Sequence, residues 1–325
     1  MALNLYKSAR TAARITTKSI CNLIDPPVVV LLYHRVTTLR SDPQMLAVTP
    51  ENFRAQMQYL KDSIPLIRFE EDWPKMPRPA VAVTFDDGYA DNALEALPIL
   101  EEVGVPATFF VSTGTIGTTQ EFWWDELARI ILDAQSLPAN FTLNDRRFGR
   151  KWPTGTFTER QAFYDSIVRL ANDVDANLRN DWLTQIRQWA HDEKGSPGPH
   201  RAMTLDELRL LARSRLVTIG IHTVSHTRLS ALSTAAQQDE ITTSKRQLEA
   251  WLDREMTVIS YPFGRRCDYT EQTVAICRDA GFAKAAANFP GQAHRWTDLY
   301  QVPRQLVRNW PIETFREKLA RFWRT

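Results

Sequence analysis

The chain has 325 residues, 43% of them hydrophobic and 24% charged. That is the balance of a globular protein with a full core, sized for one large α/β domain or two ordinary ones. A formal net charge of +2 gives no reason to expect a nucleic-acid partner, and three scattered cysteines (Cys21, Cys267, Cys277) exclude a disulfide framework or a thiolate zinc site and fit a reducing compartment. No segment approaches the ~20 apolar residues of a membrane span.

Residues 1–25 read as a basic helical segment, set apart from a folded unit over 26–325. Lys7, Arg10, Arg14 and Lys18 form one stripe at helical spacing, with no acid before Asp25. Such a stripe suits a solvated helix or a peripheral contact with an anionic membrane surface. Residues 1–24 contain no apolar stretch of the ~7–15 residues that a secretory signal needs. The expected location is therefore cytoplasmic, with peripheral contact at the inner membrane face as its extension.

The apolar run 28–33 has the pattern of a strand buried on both faces, and it exits at His34. Thr49-Pro50-Glu51 opens a helix with a cap residue followed by proline. Proline-rich connectors lead into the β-branched run 81–85, which stops at Asp86-Asp87-Gly88. Ala93, Leu94, Leu97, Leu100 and Val103 then keep helical period up to Gly104, a C-terminal stop. A strand over 107–112 completes a βαβ unit, which requires parallel strands and a right-handed crossover. Phe122-Trp123-Trp124-Asp125 starts a further helix.

Residues 137–201 are more polar and predict helices around 158–172 and 174–191, ending at the linker Gly195-Ser196-Pro197-Gly198-Pro199. This stretch reads as a helical insertion in a βα array. The alternation resumes at the capping box Thr204-Leu205-Asp206-Glu207. A strand over 216–221 stops at His222. A helix over 235–254, a strand over 257–261, a helix over 270–280, strands over 282–287 and near 300–302, and a final helix after Pro311 follow. Repeated strand–helix units with polar groups at strand ends predict an α/β fold with a parallel sheet, a barrel or a doubly wound sheet.

Two adjacent carboxylates at the carboxyl end of a strand repel each other and lose hydration, so something must compensate them. A cation that takes one acid as ligand and leaves the other as a base would do so; a polar strand-to-helix turn with a capping aspartate is the other reading. His222 and His226, spaced i and i+4, fall on one face of a helical turn about 6 Å apart, a spacing that lets both imidazoles meet one ion. With one of the two aspartates they make three protein ligands and leave room for water, the open coordination of a catalytic site.

Thr84-Phe85-Asp86-Asp87-Gly88 and His222-Thr223-Val224-Ser225-His226, in this order and at strand ends, resemble the first two motifs of the polysaccharide deacetylase family, carbohydrate esterases with a NodB-homology domain. The resemblance implies a distorted (β/α) barrel of about seven parallel strands and metal-dependent removal of an N-acetyl group from an amino sugar. It implies Asp87, His222 and His226 as metal ligands, with Zn²⁺ expected and Co²⁺, Ni²⁺ or Fe²⁺ also suited to the donor set, and Asp86 as general base. Ser260-Tyr261-Pro262-Phe263-Gly264 resembles the third motif, usually Arg-x-Pro-Tyr, and implies Tyr261, Pro262 and Phe263 around the oxyanion. Here Ser260 stands at the arginine position, and Arg304 is the candidate to take its place beside Asp86. The family's usual C-terminal Leu-x-His pattern occurs instead at Leu32-Tyr33-His34, as in the permuted branch that includes poly-N-acetylglucosamine deacetylases, which implies His34 as general acid. Trp124 is a candidate sugar-stacking residue, with burial of Trp123 and Trp124 as the alternative. The implied substrate is an N-acetylated glycan, or a lipid- or nucleotide-linked precursor of one. A hydrolase of another C–N bond, such as a formamide or a cyclic amide, and a non-catalytic carbohydrate-binding member are the competing readings.

Overall fold

The structure is a computed structural model and describes residues 21–118, 120–145, 149–192 and 200–324. The basic stripe from Lys7 to Lys18 and the linker 195–199 lie outside the described residues. Among the described residues, no helix is long and apolar enough to cross a membrane.

Seven parallel strands form one curled sheet: β1 (Val28–Tyr33), β2 (Ala80–Phe85), β3 (Ala107–Val111), β4 (Val217–Ile221), β5 (Val258–Ser260), β6 (Lys284–Ala286) and β7 (Gln305–Leu306). Their spatial order is β6-β5-β4-β3-β2-β1-β7. This is the α/β half-barrel expected of a distorted (β/α) barrel. β1, β2 and β3 are buried along their whole length, as continuous apolar runs in a helix-covered parallel sheet should be. Phe85 stacks on Phe109 at 4.5 Å and on Tyr33 at 5.4 Å, which locks three neighbouring strands through one aromatic column.

The last strand lies at Gln305–Leu306 and pairs with β1, not at the expected 300–302. The expected segment has another role. Val302 exchanges hydrogen bonds with Ala285 and Ala287, and the Arg304 N–H donates to the Phe289 carbonyl at 3.2 Å. The chain therefore runs along β6 before it reaches β1, and the two edges of the sheet are sewn together by one irregular segment. Edge groups that would otherwise stand unpaired are satisfied there.

The described helices are α1 (Pro50–Ser63), α2 (Leu97–Val103), α3 (Trp123–Ile131), α4 (Phe157–Ala171), α5 (Ala176–Ala190), α6 (Leu205–Arg213), α7 (Thr234–Leu252), α8 (Glu271–Asp279) and α9 (Ile312–Phe322), of which α3, α4 and α5 lie toward the cavity end. Thr49 caps α1 and the Thr204/Glu207 box caps α6, both as the sequence signals require. The helix expected over 93–103 begins instead as a π turn, Asn92–Ala96, and this aims the Asn92 amide at the His34 carbonyl, 2.9 Å away.

Residues 137–201 hold α4 and α5 where helices are expected, but also an antiparallel hairpin, Asn140–Leu143 with Arg150–Pro153. Only Phe141, Leu143 and Trp152 of that hairpin point inward. Four-residue strands with so few apolar side chains carry too weak an alternation to be read from sequence.

Gly220 in β4 sits where the barrel wall is closely packed. A Cβ there would meet the Phe110 ring at 2.6 Å and Val258 Cγ2 at 2.9 Å. Gly220→Val is expected to lower stability by about 1–3 kcal/mol through overpacking, read as a shift of the urea midpoint without change of slope. An unchanged midpoint would contradict this packing.

Candidate active site

The carboxyl ends of β1, β2, β4 and β5 open into one cavity of about 230 Å³. Its lining includes His34, Asp86, Asp87, His222, His226 and Phe263, with Trp123, Trp124, Leu46, Val168 and Leu306 as apolar walls.

After β2 the backbone turns sharply. Asp87 has φ +78° and Gly88 φ +92°, two consecutive left-handed residues, which for Asp87 carries a cost of about 1–2 kcal/mol. The turn is held because the Ser112 N–H donates to the Asp87 carbonyl and Met203 N–H to the Gly88 carbonyl, at 3.1 and 3.0 Å. Its effect is to send two sequence neighbours in different directions.

Asp86 points into the barrel. Arg304 grips it with two parallel hydrogen bonds, Nη1 to Oδ1 at 2.7 Å and Nη2 to Oδ2 at 2.6 Å. The Ser260 hydroxyl donates to Oδ2 at 3.1 Å and itself accepts from Arg304 Nη2 at 2.7 Å. Burial alone would raise this carboxyl, but the Arg304 guanidinium, with lesser help from His222 and His34, holds it well below the ordinary carboxylate range. Arg304 is in turn fixed by donating Nε–H to the Ala287 carbonyl at 2.8 Å.

Asp87 faces two imidazoles, one of which, His222, also has Asp86 Oδ2 at 3.7 Å from its Nε2. The Asp87 Oδ1 lies 3.5 Å from His222 Nε2 and 3.3 Å from His226 Nε2, and the three donor groups all lie within 4.8 Å of one another. The His222 Nδ1–H donates to the Ser260 carbonyl at 2.8 Å, which leaves Nε2 as the free lone pair facing Asp87. Burial lowers both imidazoles, His226 to about 4 with the nearby Arg179 charge adding to the effect. Both are thus neutral at neutral pH, the form that ligates metals. Burial, with Asp86 and Asp125 adding to it, pushes Asp87 up to about 6. Its buried Oδ1 has no hydrogen-bond donor. An orphaned carboxylate oxygen facing the Nε2 atoms of two buried imidazoles, with no donor assigned to it, is a good arrangement for a cation, so the residues present fit a divalent metal.

The two histidines do not share a helical turn, as their spacing suggests. Residues 222–228 are irregular, and Thr223 and His226 have φ of +63° and +50°, curling the loop so that the ring centroids stand 4.8 Å apart. The curl is braced from outside. Glu240 of α7 accepts from the N–H groups of Val224 and Ser225, both at 2.9 Å, and from Ser225 Oγ at 2.7 Å. Gly114 passes so close that a Cβ would sit 2.7 Å from the Val224 carbonyl oxygen. Sequence reasoning missed Glu240 because it is one acid among several on a long polar helix; nothing local marks it.

His34 leaves β1 at the cavity's edge. Burial lowers its imidazole against the opposing pull of Asp87 and Asp86. Trp124 is both buried and part of the cavity wall: its ring lies 4.8 Å from His226, and Nε1–H donates to the Tyr89 hydroxyl at 2.8 Å, which donates to Asp125 at 2.6 Å. Phe263, with φ +60°, faces His226 at 4.9 Å.

Tyr261 and Pro262 stand apart from this group. The Tyr261 side chain is fully buried and donates its hydroxyl to the Tyr300 carbonyl at 3.0 Å, while its N–H donates to the Ala286 carbonyl. Neither donor faces the cavity. Pro262 has no N–H and is buried. Of the three third-motif residues expected around an oxyanion, only Phe263 lines the pocket, because a strand alternates its faces and the bend at Phe263–Gly264 exposes the last of them.

The polysaccharide deacetylase family model matches residues 74–162 and 184–285, more than half of the chain. YxkH of Bacillus subtilis (strain 168), whose name places it among polysaccharide deacetylases, is 22% identical over 287 residues, which are 86% of this chain and 70% of that protein. Among solved structures, the deacetylase PplD of Streptococcus pyogenes, solved in complex with acetate, superposes with a TM-score of 0.57 at 18% identity, over 90% of this chain and 98% of that one. IcaB from Ammonifex degensii superposes with 0.59 at 17% identity, over 92% and 98%. At these identities the structures share the fold.

Replacing Arg304 by Met should cost about 3–5 kcal/mol, because a buried carboxylate loses its counter-charge. Asp86 titrates below its unfolded value, so its contribution is present above about pH 4 and lost as pH falls through the folded value. The gap between Arg304→Met and the parent chain should therefore be widest at neutral pH and close on acidification. Urea titrations at pH 7, 4 and 2 check this, the gap narrowing only below about pH 4; a gap independent of pH over that range would mean that the pair contributes through packing alone.

Proposed function

The chain belongs to the polysaccharide deacetylase family, and from that membership and the site's geometry we propose that it is a metal-dependent hydrolase that removes the N-acetyl group from an N-acetylhexosamine unit of a glycan or of a lipid- or nucleotide-linked precursor. The observation that carries this reading is the division of labour between adjacent acids: Asp86 locked on Arg304, and Asp87 facing His222 and His226.

Asp87, His222 and His226 would hold the divalent metal, with Zn²⁺ best suited to two imidazoles and a carboxylate. The metal, when bound, supplies Lewis acidity toward the acetyl carbonyl and a more acidic water. Asp86 remains ionised beside it and accepts the proton of the attacking water. The guanidinium of Arg304 keeps the carboxylate oriented while it does so. The Phe263 N–H, which donates to no other group among the described residues, is the backbone donor for the oxyanion, a role that needs no tyrosine hydroxyl. His34 hands a proton to the departing amine. Burial makes its imidazolium the stronger acid, so the step loses efficiency as rising pH removes that proton. Trp124 walls the acetyl side. Residues 26–325 act as the deacetylase unit, with 137–201 as an insertion in it. We place the protein in the cytoplasm with the basic segment resting on an anionic membrane face, a reading supported by that stripe and by the exposed Leu23 and Ile24 beside it.

Acetate release from N-acetylglucosamine oligomers and phosphate-linked N-acetylglucosamine, with formate release from the formamido analogues run alongside, tests the reaction. Chelation should abolish acetate release and Zn²⁺ should restore it. Asp86→Asn should lower kcat at least 100-fold and His34→Gln by about 10- to 100-fold, within the ordinary range of proton-transfer contributions. Retention of activity by Asp86→Asn, or formate as the sole product, defeats the proposal.

Metal affinity gives an independent check. Asp87 must lose its proton to bind, so the apparent affinity in a chelator competition should be flat above pH 7 and weaken below about 6. Affinity that is constant down to pH 5 would remove Asp87 from the ligand set.

A further inference from the structure

The mouth of the cavity carries three arginines, Arg228, Arg265 and Arg308, against one acid, Asp268. Arg228 is already spent: it pairs with Asp268 at 3.1 Å and with Asp173. Arg265 and Arg308 are not. Among the described residues neither stands within 4 Å of a carboxylate. Arg308 is half-buried and donates Nη1–H to the carbonyls of Gln44 (2.8 Å) and Met45, which fixes its stem and leaves the rest of the guanidinium unpaired. The acid nearest to it in effect, Asp42, is engaged by the N–H groups of Leu46 and Ala47.

The two arginines flank the reacting centre. Arg308 lies on the His34 side, close enough for its charge to be felt by that imidazole, and Arg265 lies two residues beyond Phe263. Of the acids in the cavity, Asp86 is held by Arg304 and Asp268 by Arg228, and Asp87, whose charge a bound cation would offset, faces the two histidines. The cavity itself, about 230 Å³, is smaller than the ~300–1,000 Å³ of sites for drug-sized ligands. One sugar fills it, and the substituents of that sugar reach the mouth.

We propose that the sugar taken by this site carries an anionic substituent, a phosphate or a carboxylate, which Arg308 and Arg265 hold at the cavity mouth. The inference rests on the deacetylase reading for the identity of the sugar but not for the anion contact. A guanidinium gives a paired, directional grip on either group, and it selects against neutral glycans by leaving its own charge uncompensated when they bind.

The test uses probes without an amide, so that no turnover is needed: glucose 1-phosphate, glucuronate and methyl glucoside, titrated against the metal-loaded protein by calorimetry. The expected result is that one of the two anions binds roughly 10- to 100-fold tighter than methyl glucoside, the better one identifying phosphate or carboxylate, with an advantage that shrinks in high salt. Arg308→Gln and the exposed Arg265→Gln should each reduce the advantage; if Arg308→Gln fails to fold because its loop contacts are lost, Arg265→Gln decides alone. Equal binding of all three probes overturns the proposal. So does an advantage that survives both substitutions and vanishes on chelation, which would put the anion on the metal. Absence of acetate release from N-acetylglucosamine 1-phosphate with the binding pattern intact would defeat the deacetylase reading and leave the anion site standing.

Discussion

Two carboxylates at consecutive positions of a buried strand end cannot both stay ionised in the same surroundings. The turn after β2 resolves this by separating them, at the cost of a left-handed aspartate. Asp86 is sent toward a guanidinium, and its charge becomes permanent; Asp87 is sent toward two neutral imidazoles, and its charge waits for a cation. The rest of the architecture follows from supplying those two environments within a few ångströms of each other. The histidine loop must curl, which requires Thr223 and His226 in the left-handed region and Glu240 to hold the freed N–H groups. The far edge of the sheet must come round to bring Arg304.

That second requirement explains the irregular seam between β6 and β7. An ordinary strand over 300–302 would end with its next side chain displaced from the barrel axis. Instead the segment pairs with β6 through Val302, then shifts to β1 through Gln305 and Leu306, and Arg304 sits at the step between the two. Ser260 is its complement. At the position where the family's third motif usually has arginine, a small hydroxyl leaves space for a guanidinium arriving from 44 positions away and adds one hydrogen bond of its own. Arg304 supplies the paired counter-charge that a buried ionised Asp86 needs, so the altered motif and an ionised Asp86 are compatible.

Most of the fold was legible because strands buried on both faces leave continuous apolar runs, and helices in this chain start at recognisable caps: Thr49 before Pro50, Thr204 with Glu207. The expected and observed strands agree closely from β1 to β6. Legibility failed where the structure rests on few residues or on distant partners. The 140–153 hairpin has three inward side chains. The π turn at Asn92 looks in sequence like any helical turn. The HxxxH spacing pointed to two histidines that do converge, but through a helical geometry the loop does not have, because convergence on one point is achievable by more than one backbone path. Tyr261 was grouped with Phe263 by motif adjacency, whereas strand alternation puts it in the core. Asp86, Asp87, His34, His222, His226 and Arg304 were all named from sequence and are brought together, the first five from strand ends or the loop after one and Arg304 from the step between β6 and β7.

The residues around the cavity divide in an informative way. Asp86, Asp87, His222, His226 and Phe263 lie inside the ranges matched by the family model, while His34, Val168, Asn172, Arg179, Arg304 and Arg308 lie outside them. The first group forms the floor, where bond-breaking chemistry would occur. The second adds His34 and Arg304 to the centre and otherwise supplies wall and bracing, with Arg179 of α5 donating to the Ser225 carbonyl and Thr227 hydroxyl behind the histidine loop, both at 3.2 Å. Residues 137–201 therefore do more than decorate the barrel. α4 contributes one side of the cavity through Val168 and the adjoining Asn172, and α5 stiffens the loop that aims His226. A change in that segment would reshape one wall of the cavity and loosen the loop that aims His226 without replacing Asp86, Asp87 or either histidine.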